Sequence, residues 1–155
     1  MTTFTDTRGN EYSLAITIGA AIDVHNQVGV NILDVSSTEY PETDPSPLPI
    51  STRLFVDDMF LARVVFAMLD GATTLSFIDF CDGLDGKSMK QMSDAFFEAY
   101  EYFFEERGAT AAVKSLRMQR EQWKKITADE LTRLDSIAST DSQGAPDSVS
   151  TTSEE

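Results

Sequence analysis

Residues 85–108, DGKSMKQMSDAFFEAYEYFFEERG, decide the fold. At 100° per residue Met89, Met92, Phe96, Phe97, Tyr100, Phe103 and Phe104 fall within one arc of about 140°, the pattern of a helix that lays a broad apolar face on a core. Asp85 stands where an N-cap belongs and Gly108 where such a helix closes, so the spacing predicts a helix over about Lys87 to Arg107. Burying each of those side chains stabilises by roughly 1.5–3 kcal/mol, which is set against about 1–2 kcal/mol for fixing each backbone residue. On the same helix Asp94, Glu98, Glu101 and Glu105 line up within about 60° as an acidic ridge, mildly self-repelling at that spacing.

Working outward, the stretch before this helix supplies partners for its apolar face. Thr3-Phe4-Thr5 and Tyr12-Ser13-Leu14-Ala15-Ile16 alternate as strands around Asp6-Thr7-Arg8-Gly9-Asn10, which reads as a β-hairpin. A two-stranded hairpin is marginal alone, so its apolar side must lie on something else. Thr17 caps a helix with Ile18, Ala21, Ile22, His25 and Val28 on one face, ended by Gly29. Residues 35–50, VSSTEYPETDPSPLPI, form a loop, because Pro41, Pro45, Pro47 and Pro49 forbid regular structure; it is expected to be mobile. From about Ser51 to Asp70 the apolar residues cover most of the circumference, which predicts one central helix. Ser76 opens a short turn, Phe77 to Cys81, and Gly83 breaks it.

After Gly108, Ala109 to about Ala138 reads as a last helix, continuous or restarted at Thr127, which with Glu130 makes a capping-box pattern. Ala112, Leu116, Trp123, Ile126, Leu134 and Ile137 form its apolar seam. Lys114, Arg117, Arg120, Lys124 and Lys125 form a basic arc facing away from that seam. The end, STDSQGAPDSVSTTSEE, has almost no apolar content and is expected to be disordered. The fold class is α+β, mainly α: an N-terminal β-hairpin packed on a bundle of about four to five helices, with a disordered C-terminal tail. The expected organisation is a compact unit over 1–108, an amphipathic helix or helix pair over 109–138, and an acidic Ser/Thr-rich tail over 139–155.

Composition narrows the function. The chain has 155 residues, with 26 Asp and Glu against 12 Lys and Arg and a net charge of -14. That balance argues against nucleic acid, where affinity comes mostly from cations neutralising phosphates, and against anionic lipid. No run of about 18 apolar residues exists to span a bilayer, and MTTFTDTRGN lacks the basic flank and apolar core of a secretory signal. A single cysteine, Cys81, excludes an intrachain disulfide and fits a reducing, cytoplasmic setting.

No catalytic constellation stands out. His25 has no HExxH or similar companion spacing and reads as a core or boundary histidine. Cys81 reads as a buried thiol. The stretch Asp79-Phe80-Cys81-Asp82-Gly83-Leu84-Asp85-Gly86 fails as an EF-hand loop, since either choice of central glycine puts apolar residues or cysteine at ligand positions. Phosphate-cradling glycine motifs and the GxSxG elbow are missing. Asp57 and Asp58, adjacent on a helix, would point about 100° apart, a poor acid/base pair. The expectation is a non-enzyme without cofactor or metal, whose partner-binding residues are Met92, Phe96, Tyr100, Phe103, Leu116, Arg120, Trp123 and Lys124.

Taken in order, the pieces resemble the tail assembly chaperones of long-tailed bacteriophages and prophages. The resemblance rests on FTDTRGNEYSLAI, VGVNILDV, LFVDDMFLARVVFAML, SFIDFCDGLDG and YEYFFEERG, and covers about residues 3 to 108. It implies a non-enzymatic role in the host bacterial cytoplasm: coating the tail tape measure protein, assisting the tail tube protein to assemble around it, and leaving before the virion is complete; self-association is expected besides, through the Met89–Phe104 stripe and the Leu116–Ile137 seam. Two other readings share the size and charge: a secretion-type chaperone holding one effector, and a minor structural tail component.

Overall fold

A computed structural model of the chain describes residues 1–143, with side chains described up to Ala138. Strands β1 (Thr2–Thr5) and β2 (Glu11–Leu14) pair antiparallel, with Phe4 opposite Tyr12 and Thr2 opposite Leu14. Helices follow: α1 (Ile18–Val28), α2 (Ile50–Val56), α3 (Asp58–Met68), α4 (Phe77–Asp82), α5 (Gly86–Glu106) and α6 (Thr110–Gln143). This is the hairpin-on-helices, mainly helical architecture that the sequence predicts. Two compact units are distinguished, Met1–Gln119 and a second one beginning at Arg120.

In the first unit the hairpin lies along α5. The Thr2 hydroxyl donates to the Ala95 carbonyl (2.6 Å) and Gln91 Oε1 accepts the Thr5 N–H (3.4 Å), so α5 covers the outer edge of β1. Phe4, Tyr12 and Leu14 point inward and meet Met92, Phe96 and Tyr100 of α5, Leu54 of α2 and Phe60, Leu61, Val64 and Val65 of α3 in one continuous core. Phe55 of α2 stacks on Phe97 of α5 with ring centres 3.9 Å apart.

The predicted helix over Ser51–Asp70 is in fact two. Asp57 takes an extended backbone (φ -114°, ψ 95°) between α2 and α3. Its carboxylate accepts the Phe60 N–H (3.0 Å) as the N-cap of α3 and also holds Arg53 Nε (3.2 Å), so one side chain ends one helix and starts the next. Asp57 is therefore a cap, outside the helix interior where sequence spacing put it.

Helix α1 is capped by Thr17, whose Oγ1 accepts the Ala20 N–H (3.0 Å). It buries Ala20, Ala21 and Val24 against α3 and leaves Ile18 (58%), Ile22 (54%) and His25 exposed. The predicted apolar face is thus rotated, because the small alanines let the two backbones approach closely. His25 belongs to the surface, not to the core or its boundary. Gly29 ends the helix at φ 83°, and a Cβ there would stand 3.1 Å from Pro41 Cγ.

That contact shows the proline-rich stretch folded down on the domain instead of mobile. Its ends are tied by the Ile50 N–H to the Ser37 carbonyl (2.8 Å) and the Ser51 N–H to the Val35 carbonyl (3.1 Å), and the Tyr40 hydroxyl donates to the Leu48 carbonyl (2.6 Å). Asp44 in its middle binds Arg53 (2.8 Å) and Arg63 (2.9 Å). Long-range charge pairs, which local composition does not reveal, do the holding.

Helix α6 is continuous through Thr127, whose hydroxyl donates to the Trp123 carbonyl (2.9 Å) instead of capping a new helix. Its helical backbone runs on from Ala138 to Gln143. The remainder of the expected tail, 144–155, lies outside the described residues.

Candidate functional site

The Asp6 carboxylate organises the hairpin tip that positions α4. It is buried and accepts the N–H groups of Arg8 (2.9 Å) and Asn10 (2.9 Å), the Asn10 side-chain amide (3.0 Å) and the Tyr12 hydroxyl (3.1 Å). Burial alone would raise its pKa; these hydrogen bonds outweigh it and hold the carboxyl below the usual aspartate range. The tip grips α4 through the Thr7 N–H on the Gly83 carbonyl (2.9 Å) and the Arg8 guanidinium on the Asp79 carbonyl. Phe80 of α4 is wholly buried, edge-on to Tyr12 at 5.5 Å and against Phe66 at 5.4 Å.

Beside the inward-turned Phe80, α4 borders a groove. Asp58, Met59 and Ala62 of α3, Phe77 and Cys81 of α4, Leu84 and Met89 of α5 line it, enclosing about 220 Å³. Small-molecule sites run to roughly 300–1,000 Å³, so this groove suits one or two large side chains. Met59 is 76% exposed beside it, and Ile78 is exposed on α4. Of the seven lining residues only Asp58 is charged. Cys81 is half-buried in the lining, where burial and the neighbouring Asp82 push its thiol pKa up.

The residues singled out from sequence divide sharply. Met92, Phe96, Tyr100 and Leu116 are fully buried in the first unit's core, so in this conformation they are not a partner surface. The hairpin and α2 enclose the broad face of α5 that periodicity alone leaves open to either use. Tyr100 also donates its hydroxyl to the Ile32 carbonyl, and burial pushes its phenol pKa far up. Phe103 is half-buried, edge-on to Phe104 at 5.3 Å. The acidic ridge is partly internal too: Arg117 reaches Glu101 (3.5 Å) and Glu105 (3.6 Å) of its own chain.

In the second unit Trp123 (36%), Ile126, Leu131, Leu134 and Ile137 are exposed on α6. Arg120 is half-buried and Lys124 exposed. At 100° per residue Arg120 and Lys124 lie about 60–100° to one side of Trp123, Leu134 lies about 20° from its line, and Ile137 and Ile126 lie about 40° and 60° to the other side. This is an apolar helix face with a basic flank. Sequence reasoning located it, but missed the groove, since Met59, Phe77 and Met89 carry the same hydropathy as core residues.

A shallow depression over Ile18, Ile22, His25, Leu33 and Glu39 lies elsewhere on the first unit. Among the described residues no group of three or more His, Cys, Asp or Glu is arranged to hold a metal ion, and no helix is long and apolar enough to cross a membrane. Comparison of the chain with protein-family models, with curated proteins and with solved structures finds no significant match in any of the three.

Proposed function

We propose that the chain is a non-enzymatic assembly chaperone of bacteriophage tails, which covers the long helical tape measure protein in the host cytoplasm and helps tube subunits assemble around it. The observation that carries this reading is the exposed apolar face of α6, Trp123, Ile126, Leu134 and Ile137. Anchors at helical spacing are how an amphipathic helix engages another helical protein. A net charge of -14 keeps a protein with such a face in solution. The client class comes from the resemblance described above.

Co-expression with the tape measure protein of the same phage tests the proposal. The client is expected in the soluble fraction with the wild-type chain and in the pellet with Leu134→Asp/Ile137→Asp. A client equally insoluble with and without the wild-type chain overturns it. Mass spectrometry of purified particles separates the chaperone, which is absent from them, from a structural tail component.

A further inference from the structure

We infer that α6 beyond Gln119 is a helix on demand, seeded by its buried stem and held folded by a partner helix that lays a glutamate- or aspartate-edged apolar stripe on the Trp123 face. The stem, the sequence of the distal part and its exposure carry this, and it holds for any helix of that chemistry; only the step from such a helix to the tape measure protein rests on the function proposed above.

The stem comes first. Val113 and Leu116 are buried, Ala112 packs beside them, and Arg117 reaches Glu101 (3.5 Å) and Glu105 (3.6 Å). Residues 110–119 thus fold with the first compact unit. Starting a helix is its costly step, with a nucleation factor of about 10⁻³, whereas lengthening an existing one is close to balance, with a factor of about 1–1.6 per residue even for good formers. A rigid stem removes the first cost and leaves only the second.

Beyond Gln119 little tips that balance toward helix. Ile126, Leu131, Leu134 and Ile137 are exposed, and packing of an apolar face is what stabilises most protein helices. Propensity does not make up the difference. Six of the nine residues in 135–143, DSIASTDSQ, are Asp, Ser or Thr, which compete for the backbone bonds a helix needs. The last turn has no basic residue to meet the carbonyl end. The Thr127 and Thr132 hydroxyls donate to the Trp123 and Ala128 carbonyls (2.9 and 3.0 Å), a contact that slightly destabilises helices. The Arg133–Glu130 pair (2.7 Å) is exposed and adds little.

The face itself describes the partner. Its apolar residues recur at helical spacing, the pattern by which one helix engages another. Lys124 borders it about 100° to one side of Trp123 and Arg133 about 80° to the other. Carboxylates along the partner's stripe complement both edges.

Hydrogen exchange of the dilute full-length chain tests this. Amides up to Gln119 should be protected with the core, and those from Ile126 onward should exchange at least about a hundredfold faster. Thr132→Ala, on the side away from Trp123, should slow the distal exchange about twofold, and Thr132→Gly should quicken it. A synthetic helical peptide with a leucine stripe flanked by glutamate should protect residues 120–138 and move Trp123 emission to the blue. It should bind Thr132→Ala more tightly than wild type, because a helix already formed need not be ordered on contact. The same peptide flanked by lysine should not protect the segment. Distal protection equal to that of the stem in the free chain, no protection by the glutamate-flanked peptide, equal protection by both peptides, or an affinity indifferent to Thr132→Ala would each overturn the inference. A tape measure protein left insoluble by the wild-type chain overturns the chaperone reading alone.

Discussion

The guanidinium carbon of Arg53 lies 4.1 Å from the centre of the Phe60 ring and 5.0 Å from that of Tyr40, a cation held between two aromatic faces. Its Nη2 meets both oxygens of Asp44 (2.8 and 3.0 Å) and its Nε meets Asp57. Desolvation alone would lower its pKa, but the two carboxylates raise it, so the charge is kept despite burial. This residue couples the proline-rich loop, the α2–α3 junction and the core.

Arg53→Ala should therefore cost about 2–3 kcal/mol, somewhat under the cost of breaking a fully buried pair, because Asp44 and Asp57 keep partial contact with water. Arg53→Lys should recover less than half, since a compact ammonium lacks the planar face that lies over the rings and the fork whose separate nitrogens reach Asp44 and Asp57. Urea melts give the energies, and hydrogen exchange at residues 37–48 should rise in both variants. Protection unchanged in Arg53→Ala would show that the loop is held by something else.

Acid should weaken the hairpin tip through Asp6. Its folded pKa lies below the unfolded value of about 3.9. A carboxyl depressed in this way adds stability above the unfolded pKa, and that stability is lost as pH falls through the folded one. Arg53 hydrogen bonding depresses Asp44 in the same direction. The melting temperature should fall below about pH 5, and Asp6→Asn with Asp44→Asn should lower it at neutral pH while flattening the acid slope. An unchanged slope would place the acid-sensitive groups elsewhere.

The hairpin, the Thr17 and Asp85 caps and the limits of α5 were legible because each is set by residues within a few positions of one another. The rotation of α1 was not: Ile18/Ile22 and Ala20/Ala21/Val24 lie on different sides of one helix, and only the close approach of α3 selects between them. The break at Asp57 is hidden because apolar residues run from Leu54 to Leu69 with few interruptions, so period carries no boundary. Burial of Met92, Phe96 and Tyr100 agrees with the broad apolar arc of α5 and removes them as partner residues, a choice that hydropathy leaves open because enclosure depends on the hairpin some 80 to 90 positions away. The Trp123 face was legible since nothing in its own segment competes for it.

Tyr100→Phe should destabilise by about 1–3 kcal/mol, because the Ile32 carbonyl loses its buried donor. The raised phenol pKa gives a second readout. A neutral acid whose folded pKa exceeds its unfolded value of about 10 gives stability that is full below that value and lost above it. Tyr100 should thus ionise only as the domain unfolds in alkali, so its phenolate absorbance and loss of helix coincide. Ionisation preceding helix loss, and missing from the Phe variant, would mean that water reaches the phenol in the folded state.

Gly83 joins the hairpin tip to α4 by close approach: a Cβ there would stand 2.6 Å from Arg8 Nη2 and 2.8 Å from Asp6 Oδ2. The Arg8 end is half-exposed and can swing away, whereas the Asp6 carboxylate is fixed by its hydrogen bonds. Gly83→Ala should cost about 1–3 kcal/mol, and Arg8→Ala in the same chain should relieve only part of that. The strain falls on the connection that seats α4, so Cys81 should react faster with a thiol reagent as the groove loosens. Thiol reactivity equal to wild type, together with lowered stability, would show that α4 is seated by Phe80 alone and that the tip serves only the hairpin.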